Sequence, residues 1–89
     1  MWESNYGKVH QDGAIVSVIG NRYRGSGEVV KGVLFLTWLD SEDGSIWVSA
    51  YTKEAKVWSG YYGRPQAVVF DEGGEPTGRY IRDAIFVKE

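Results

Sequence analysis

Glycine interrupts this chain twelve times in 89 residues, and only two prolines accompany it. Between glycines lie short runs of β-branched and aromatic residues, a pattern that fits strands joined by turns and leaves little room for helix. After Asp12-Gly13, "AIVSVIG" sets Ile15, Ser17 and Ile19 in alternation with Val16 and Val18. "EVVKGVLFLTWLD" follows the loop "GNRYRGSG", and from Val33 to Leu39 it is apolar at nearly every position. Such a strand is expected to be covered on both faces. "SEDGS" is a hairpin turn, and "IWVSAYTK" leaves it with Trp47, Ser49 and Tyr51 alternating against Ile46, Val48 and Ala50. "AKVWSGYYG", "QAVVFD" and "AIFVK" supply the remaining strands.

Helix has two weak footholds. "TKEAKVW", residues 52–58, has good helix propensity at its centre but is too short to stand alone among β-rich neighbours, so it reads as a turn, with a one-turn helix as the alternative. "TGRYIRDAIF" suits a 3₁₀ turn from Arg79 to Asp83 before a last short strand. The expected architecture is one all-β domain spanning residues 1–89. It is a small five- to six-stranded antiparallel barrel, SH3-like or alternatively OB-like, because closure removes the exposed edges that a two-layer sandwich would leave.

Thirteen Trp, Tyr and Phe residues make such a core feasible at this length, each ring able to bury about 150–250 Å². With no cysteine, the chain has no disulfide, thiolate nucleophile or Cys-ligated zinc. Ten Lys and Arg against twelve Asp and Glu give a formal charge of −2, too balanced to follow nucleic-acid phosphates by charge alone. No apolar run approaches a membrane span of ~18 residues, and "MWESNYGKVH" lacks the regions of a signal peptide. These features predict a cytoplasmic protein, and a phage or mobile-element origin suits so short a domain.

"GAIVSVIGNRYRGSGEV", residues 13–29, resembles the KOW segment of ribosomal and transcription-elongation proteins. Val18, Ile19, Gly25, Gly27 and Val29 fall near that segment's strand and glycine positions. The two glycines stand one residue closer than usual, and Asn21 replaces the first loop glycine. The resemblance covers under a fifth of the chain. It implies an SH3-like barrel whose loop of Arg22, Tyr23 and Arg24 touches RNA or a protein partner.

Familiar catalytic arrangements are missing from the sequence. His10 is the sole histidine, so no His–His zinc spacing exists, and no serine sits in a G-x-S-x-G elbow. His10 reads as an exposed residue of a mobile start. "DSEDGS", with Asp40, Glu42 and Asp43, lacks the alternate carboxylates of a calcium loop and reads as a turn. "DEGGEPTG" has no helix start or Lys-Ser/Thr after its glycines and is not a phosphate cradle. No catalytic residue, metal or cofactor is expected, and the protein is read as not an enzyme.

The positive signal is arginine beside aromatics near glycines, three times over. Arg22, Tyr23 and Arg24 lie between Gly20 and Gly25; Tyr61, Tyr62 and Arg64 follow Trp58; Arg79, Tyr80 and Arg82 follow Gly78. Tyr and Arg are enriched in binding hot spots, since a ring gives area at low entropy cost and a guanidinium stacks and donates. Trp58 and one of Tyr61 and Tyr62 are expected to face inward, Tyr80 to plug a barrel end, and Gly60 and Gly63 to let the chain bend. The expected function is a non-catalytic binding module for a macromolecular partner, protein ahead of nucleic acid. Its contact set is Arg22, Tyr23, Arg24, Tyr61, Tyr62 and Arg64, with Arg79 and Arg82 secondary; Tyr62→Ala and Arg24→Ala should weaken binding without unfolding. Two alternatives stand beside it: a single-stranded nucleic-acid-binding barrel, and a small-ligand or enzymatic site formed between subunits. The outward side of the strand from Val33 to Leu39 needs cover, from a homodimer or from a fold-over of Trp2 and Tyr6.

Overall fold

A computed structural model describes residues 2–88 of the chain. Eight strands follow one another: β1 (Trp2–Ser4), β2 (Gly7–Asp12), β3 (Ile15–Ile19), β4 (Tyr23–Val30), β5 (Val33–Asp40), β6 (Ile46–Glu54), β7 (Val57–Gly63) and β8 (Ile81–Lys88). Each pairs antiparallel with the next, and β1 closes on β8, giving an up-and-down barrel. An eight-stranded barrel has an interior just wide enough for side chains to fill. Val9, Val16, Val18, Leu34, Leu36, Trp38, Tyr51, Trp58, Ile85 and Val87 fill it.

The expectation of an all-β antiparallel barrel holds, but the strand number does not. The residues read as a mobile start form β1 and β2, and His10 is an exposed residue within β2. The supposed loop 20–27 is mostly β4, whose Gly25 and Gly27 lie opposite Trp38 and Leu36. A Cβ on Gly25 would sit 2.7 Å from the Trp38 ring, so the absence of a side chain lets the indole lie across the wall. "QAVVFD" forms no strand, because β7 and β8 pair directly and leave no edge for it; residues 64–80 hold one isolated bridge, Phe70 to Pro76. No 3₁₀ turn precedes β8, since Ile81 to Asp83 already pair with Tyr62 to Gly60. The consecutive eight-strand order also replaces the SH3-like and OB-like topologies, including the one implied by the KOW resemblance.

Alternation decides which side chains enter the lumen. In β5, Leu34, Leu36, Trp38 and Asp40 point in, opposite Tyr51, Ser49 and Trp47 of β6 and Tyr23 of β4. The outward side of β5 is covered only in part: Val33 is buried, while Thr37 and Leu39 are exposed. Cover for Val33 comes from residues 64–80, a strap along the outer wall whose Gly74 leaves so little room that a Cβ there would lie 2.7 Å from Val33. Trp2 and Tyr6 do not supply it, since both pack on the core cluster. Gly60 lies within β7, paired with both Tyr51 and Asp83, and its backbone approaches β6 so closely that a Cβ there would meet the Ala50 carbonyl.

Consecutive hairpins place alternate loops at opposite ends of the barrel. The turns at 13–14, 31–32 and 55–56 share one end, where Lys53 sits 5.1 Å over the Trp2 ring and 5.7 Å over that of Trp58. The loops 5–6, 20–22, 41–45 and 64–80 share the other. No helix of the structure is long and apolar enough to cross a membrane. The outer wall carries Lys8, His10, Arg24, Glu28 and Arg82 interspersed with exposed Ile15, Ile19, Leu39, Ile46 and Phe86.

Candidate functional site

The second set of loops surrounds an open mouth, and the lumen continues into it as a cavity of about 190 Å³. Its walls are aromatic: Tyr6, Tyr23, Trp38, Trp47, Tyr51 and Tyr62. These rings support one another edge-on or tilted, Tyr6 against Tyr23 at 5.7 Å and Trp38 at 5.2 Å, and Trp47 against Tyr62 at 5.5 Å. Strand ends put them there. Tyr23 opens β4, Trp47 is the second residue of β6 and Tyr62 the last but one of β7, each on a lumen-facing position.

Two carboxylates stand among the rings, and they are held differently. Asp40, at the end of β5, is buried and receives Arg22 through Nε at 3.2 Å and Nη2 at 3.0 Å. The Arg22 guanidinium holds its carboxyl below the usual range, helped by the Glu42 amide donating at 3.0 Å. Arg22 also meets Glu42 at 3.3 Å and lies 5.2 Å from the Tyr23 ring centre. Asp83, on β8, accepts the hydroxyl of Tyr6 at 2.6 Å and that of Tyr51 at 2.7 Å. Burial and then this carboxylate push both tyrosine hydroxyls well above their ordinary range, so they remain protonated donors. Among the described residues, Asp83 has no Lys or Arg partner.

Four of the arginine and tyrosine residues singled out in the sequence gather at this mouth. Arg22, Tyr23 and Tyr62 line the cavity, and Arg64 stacks its guanidinium 4.1 Å from the Trp47 ring centre. The others lie elsewhere. Arg24 follows Tyr23 along β4 and so faces the outer wall, beside Ile19 and Leu39. Tyr61 also faces outward, edge-on to Tyr80 at 4.7 Å with Arg82 5.8 Å from its ring centre. Tyr80 is 49% exposed and plugs no barrel end. Arg79 borders a shallow hollow beside Arg64 and Trp47, at the edge of the mouth. Tyr23, Tyr61 and Tyr62 are all half-buried, and Trp58 is buried in the core as expected.

Sequence reasoning missed Tyr6, Trp38, Asp40, Trp47, Tyr51 and Asp83 as parts of one site. The signal was parity. Asp40 shares its face with Trp38, and Asp83 shares its face with Ile85 and Val87, so β5 and β8 each carry a carboxylate from the core face to the mouth.

Comparisons with protein-family models, with curated protein sequences and with solved structures returned no match to this chain.

Proposed function

We propose that the protein is a non-catalytic binding module that takes a protein partner at the barrel mouth. The observation that carries this reading is the aromatic cavity of about 190 Å³, open at its rim. It is smaller than the ~300–1,000 Å³ of ordinary small-molecule sites and matches one inserted side chain. Preassembled rings beside stacked guanidinium groups suit a hot spot, because little side-chain entropy is left to lose on binding. The ionisable groups support binding over chemistry. The Tyr6 and Tyr51 hydroxyls are pushed upward and the Asp40 carboxyl downward, so none of these three is poised for proton transfer near neutral pH.

The test uses the whole chain as bait in nuclease-treated lysate, beside Trp47→Ala at the mouth and Arg24→Ala on the outer wall. A protein held by wild type and by Arg24→Ala but lost with folded Trp47→Ala supports the proposal. Equal retention by all three baits defeats it. Arg24→Ala serves as the control because its side chain points away from the mouth.

One cluster favours single-stranded nucleic acid as a second reading: Tyr61, Tyr80 and Arg82 on the outer wall. A gel shift whose affinity falls steeply with salt would support it. A homodimer through the outer wall of β5 is a separate proposal, resting on the exposed Leu39 and its cross-strand neighbour Ile46. Sedimentation equilibrium giving twice the 10.0 kDa chain mass supports it, and a monomeric mass removes it.

A further inference from the structure

The mouth's chemistry narrows what kind of side chain enters it, given that the mouth is the binding site. Its lining holds one guanidinium, Arg22, against three carboxylates: Asp40, Asp43 and Asp83. Arg22 is committed to Asp40 and Glu42. Arg64 at the rim lies over Trp47, and among the described residues it pairs with no carboxylate. Asp43 accepts the Ser45 amide at 2.8 Å but lies exposed on its loop, in solvent rather than among the rings. Asp83 is different. Among the described residues its only side-chain donors are two neutral hydroxyls, which orient the carboxylate without neutralising it. An ionised carboxylate has about four lone-pair directions, and two donors leave the remainder free.

Around Asp83 the walls are ring faces and edges, and ring faces attract cations. The chain already uses this attraction at the rim, where Arg22 and Arg64 lie over Tyr23 and Trp47 at 5.2 and 4.1 Å. Deeper in the cavity no cation is supplied. We infer that the mouth is a socket for a lysine side chain of the protein partner: the alkyl stem lies along Trp47 and Tyr62, and the ammonium reaches Asp83. A single stem ending in a compact three-donor head suits a narrow aromatic opening above one carboxylate, whereas a planar guanidinium calls for a bidentate partner. Asp40, the carboxylate that could serve as one, is already taken by Arg22.

Peptides of the form acetyl-Gly-X-Gly-amide test this on the full chain. X is lysine, norleucine (the same stem without the charge), arginine or glutamate. Amide and indole NMR shifts follow the titration, with the indole N–H of Trp47 and the ring signals of Tyr62 as site reporters. The lysine peptide is expected to move these reporters saturably, with affinity at least ten-fold above norleucine. Asp83→Asn should bring that ratio close to one. The lysine–norleucine comparison on wild type stands even where Asp83→Asn fails to fold. Equal binding of lysine and norleucine overturns the charge assignment alone and leaves an apolar socket at the mouth. Preference for arginine or glutamate overturns the lysine assignment. If no peptide moves the reporters and the captured partner is indifferent to Trp47→Ala, the binding reading itself falls.

Discussion

Raising the pH should unlock this barrel from its mouth inward, and the effect can be worked from Tyr51. That residue is 1% exposed and donates its hydroxyl to Asp83 at 2.7 Å. Burial and the carboxylate push its hydroxyl upward from the ordinary 10.0. The sign follows from linkage. The folded form keeps the proton after the unfolded form has lost it, so the stabilisation is complete below pH 10 and declines as pH rises further. For one such group the slope is about 1.4 kcal/mol per pH unit, giving a loss of about 1.4 kcal/mol at pH 11 and about 2.7 kcal/mol at pH 12. Tyr6 has the same partner and the same direction, but it is half-buried and adds a smaller, solvent-screened share. With a urea m-value of about 1 kcal/mol/M for a domain this small, the midpoint should drop by about 1.4 M between pH 9 and pH 11. The control is Tyr51→Phe. It should lose about 1.5–3 kcal/mol at pH 8, the value of a hydrogen bond to a charged acceptor, and should then show a flatter pH dependence than wild type. Every other group is common to both proteins, so the difference reports on Tyr51 and on its coupling to Tyr6 through Asp83. Parallel decline of wild type and Tyr51→Phe would refute the argument.

Three further outcomes follow from single contacts. Trp38 donates its indole N–H to Ser49 at 2.7 Å, whereas the buried Trp58 indole N–H has no partner among the described residues, so Trp38→Phe should cost about 1–3 kcal/mol more than Trp58→Phe in chemical denaturation. Asn5 extends the short β1–β8 seam by donating to the Ala84 carbonyl at 3.1 Å and accepting the Phe86 amide at 3.0 Å; Asn5→Ala should cost about 1–2 kcal/mol and speed hydrogen exchange at Phe86, and unchanged protection there would rule the stitch out. Lys31 and Gly32 form a two-residue hairpin with φ of 51° and 81°, a turn that favours Asn-Gly, so Lys31→Asn should raise stability by about 0.5 kcal/mol despite loss of the exposed Lys31–Glu72 pair. A melting temperature higher by about 2–4 °C would register it.

Much of the barrel was readable because alternation survives wherever the lumen is apolar. Val16 and Val18 in β3 and Leu36, Trp38 and Asp40 in β5 show it plainly. β1, β2 and β4 were hidden for a different reason. Their inward positions include Gly7, Gly25 and Gly27, residues that read as turn punctuation when no strand is suspected. Glycine there reflects close packing across the wall, as the Trp38 ring over Gly25 demonstrates. The opposite error, strand assigned to "QAVVFD", came from a β-prone run that the closed ladder cannot admit. Only the eight-strand count reveals that the loops carrying Arg22 and Arg64 share one end. Reading Arg22, Tyr23 and Arg24 as a loop grouped side chains that β4 sends to opposite faces.

The two ends of the barrel show how one alternating pattern yields both a core and a site. At the closed end, two-residue turns keep the strands short of any rim, and Trp2 and Trp58 fill the lumen beneath Lys53. At the other end the same inward register continues one step past the apolar layer, and the residues found there are Asp40 and Asp83. A barrel selected only for stability would gain by apolar residues at those positions, since removing charges from water costs more than imperfect pairing returns. Asp40 is compensated by Arg22, which is itself fastened through its carbonyl to the Ser41 amide and hydroxyl at 2.7 Å. Asp83 is oriented by the Tyr6 and Tyr51 hydroxyls and, among the described residues, has no Lys or Arg partner. Holding a carboxylate rigidly beneath an opening, yet unneutralised, makes physical sense when the missing charge arrives from outside.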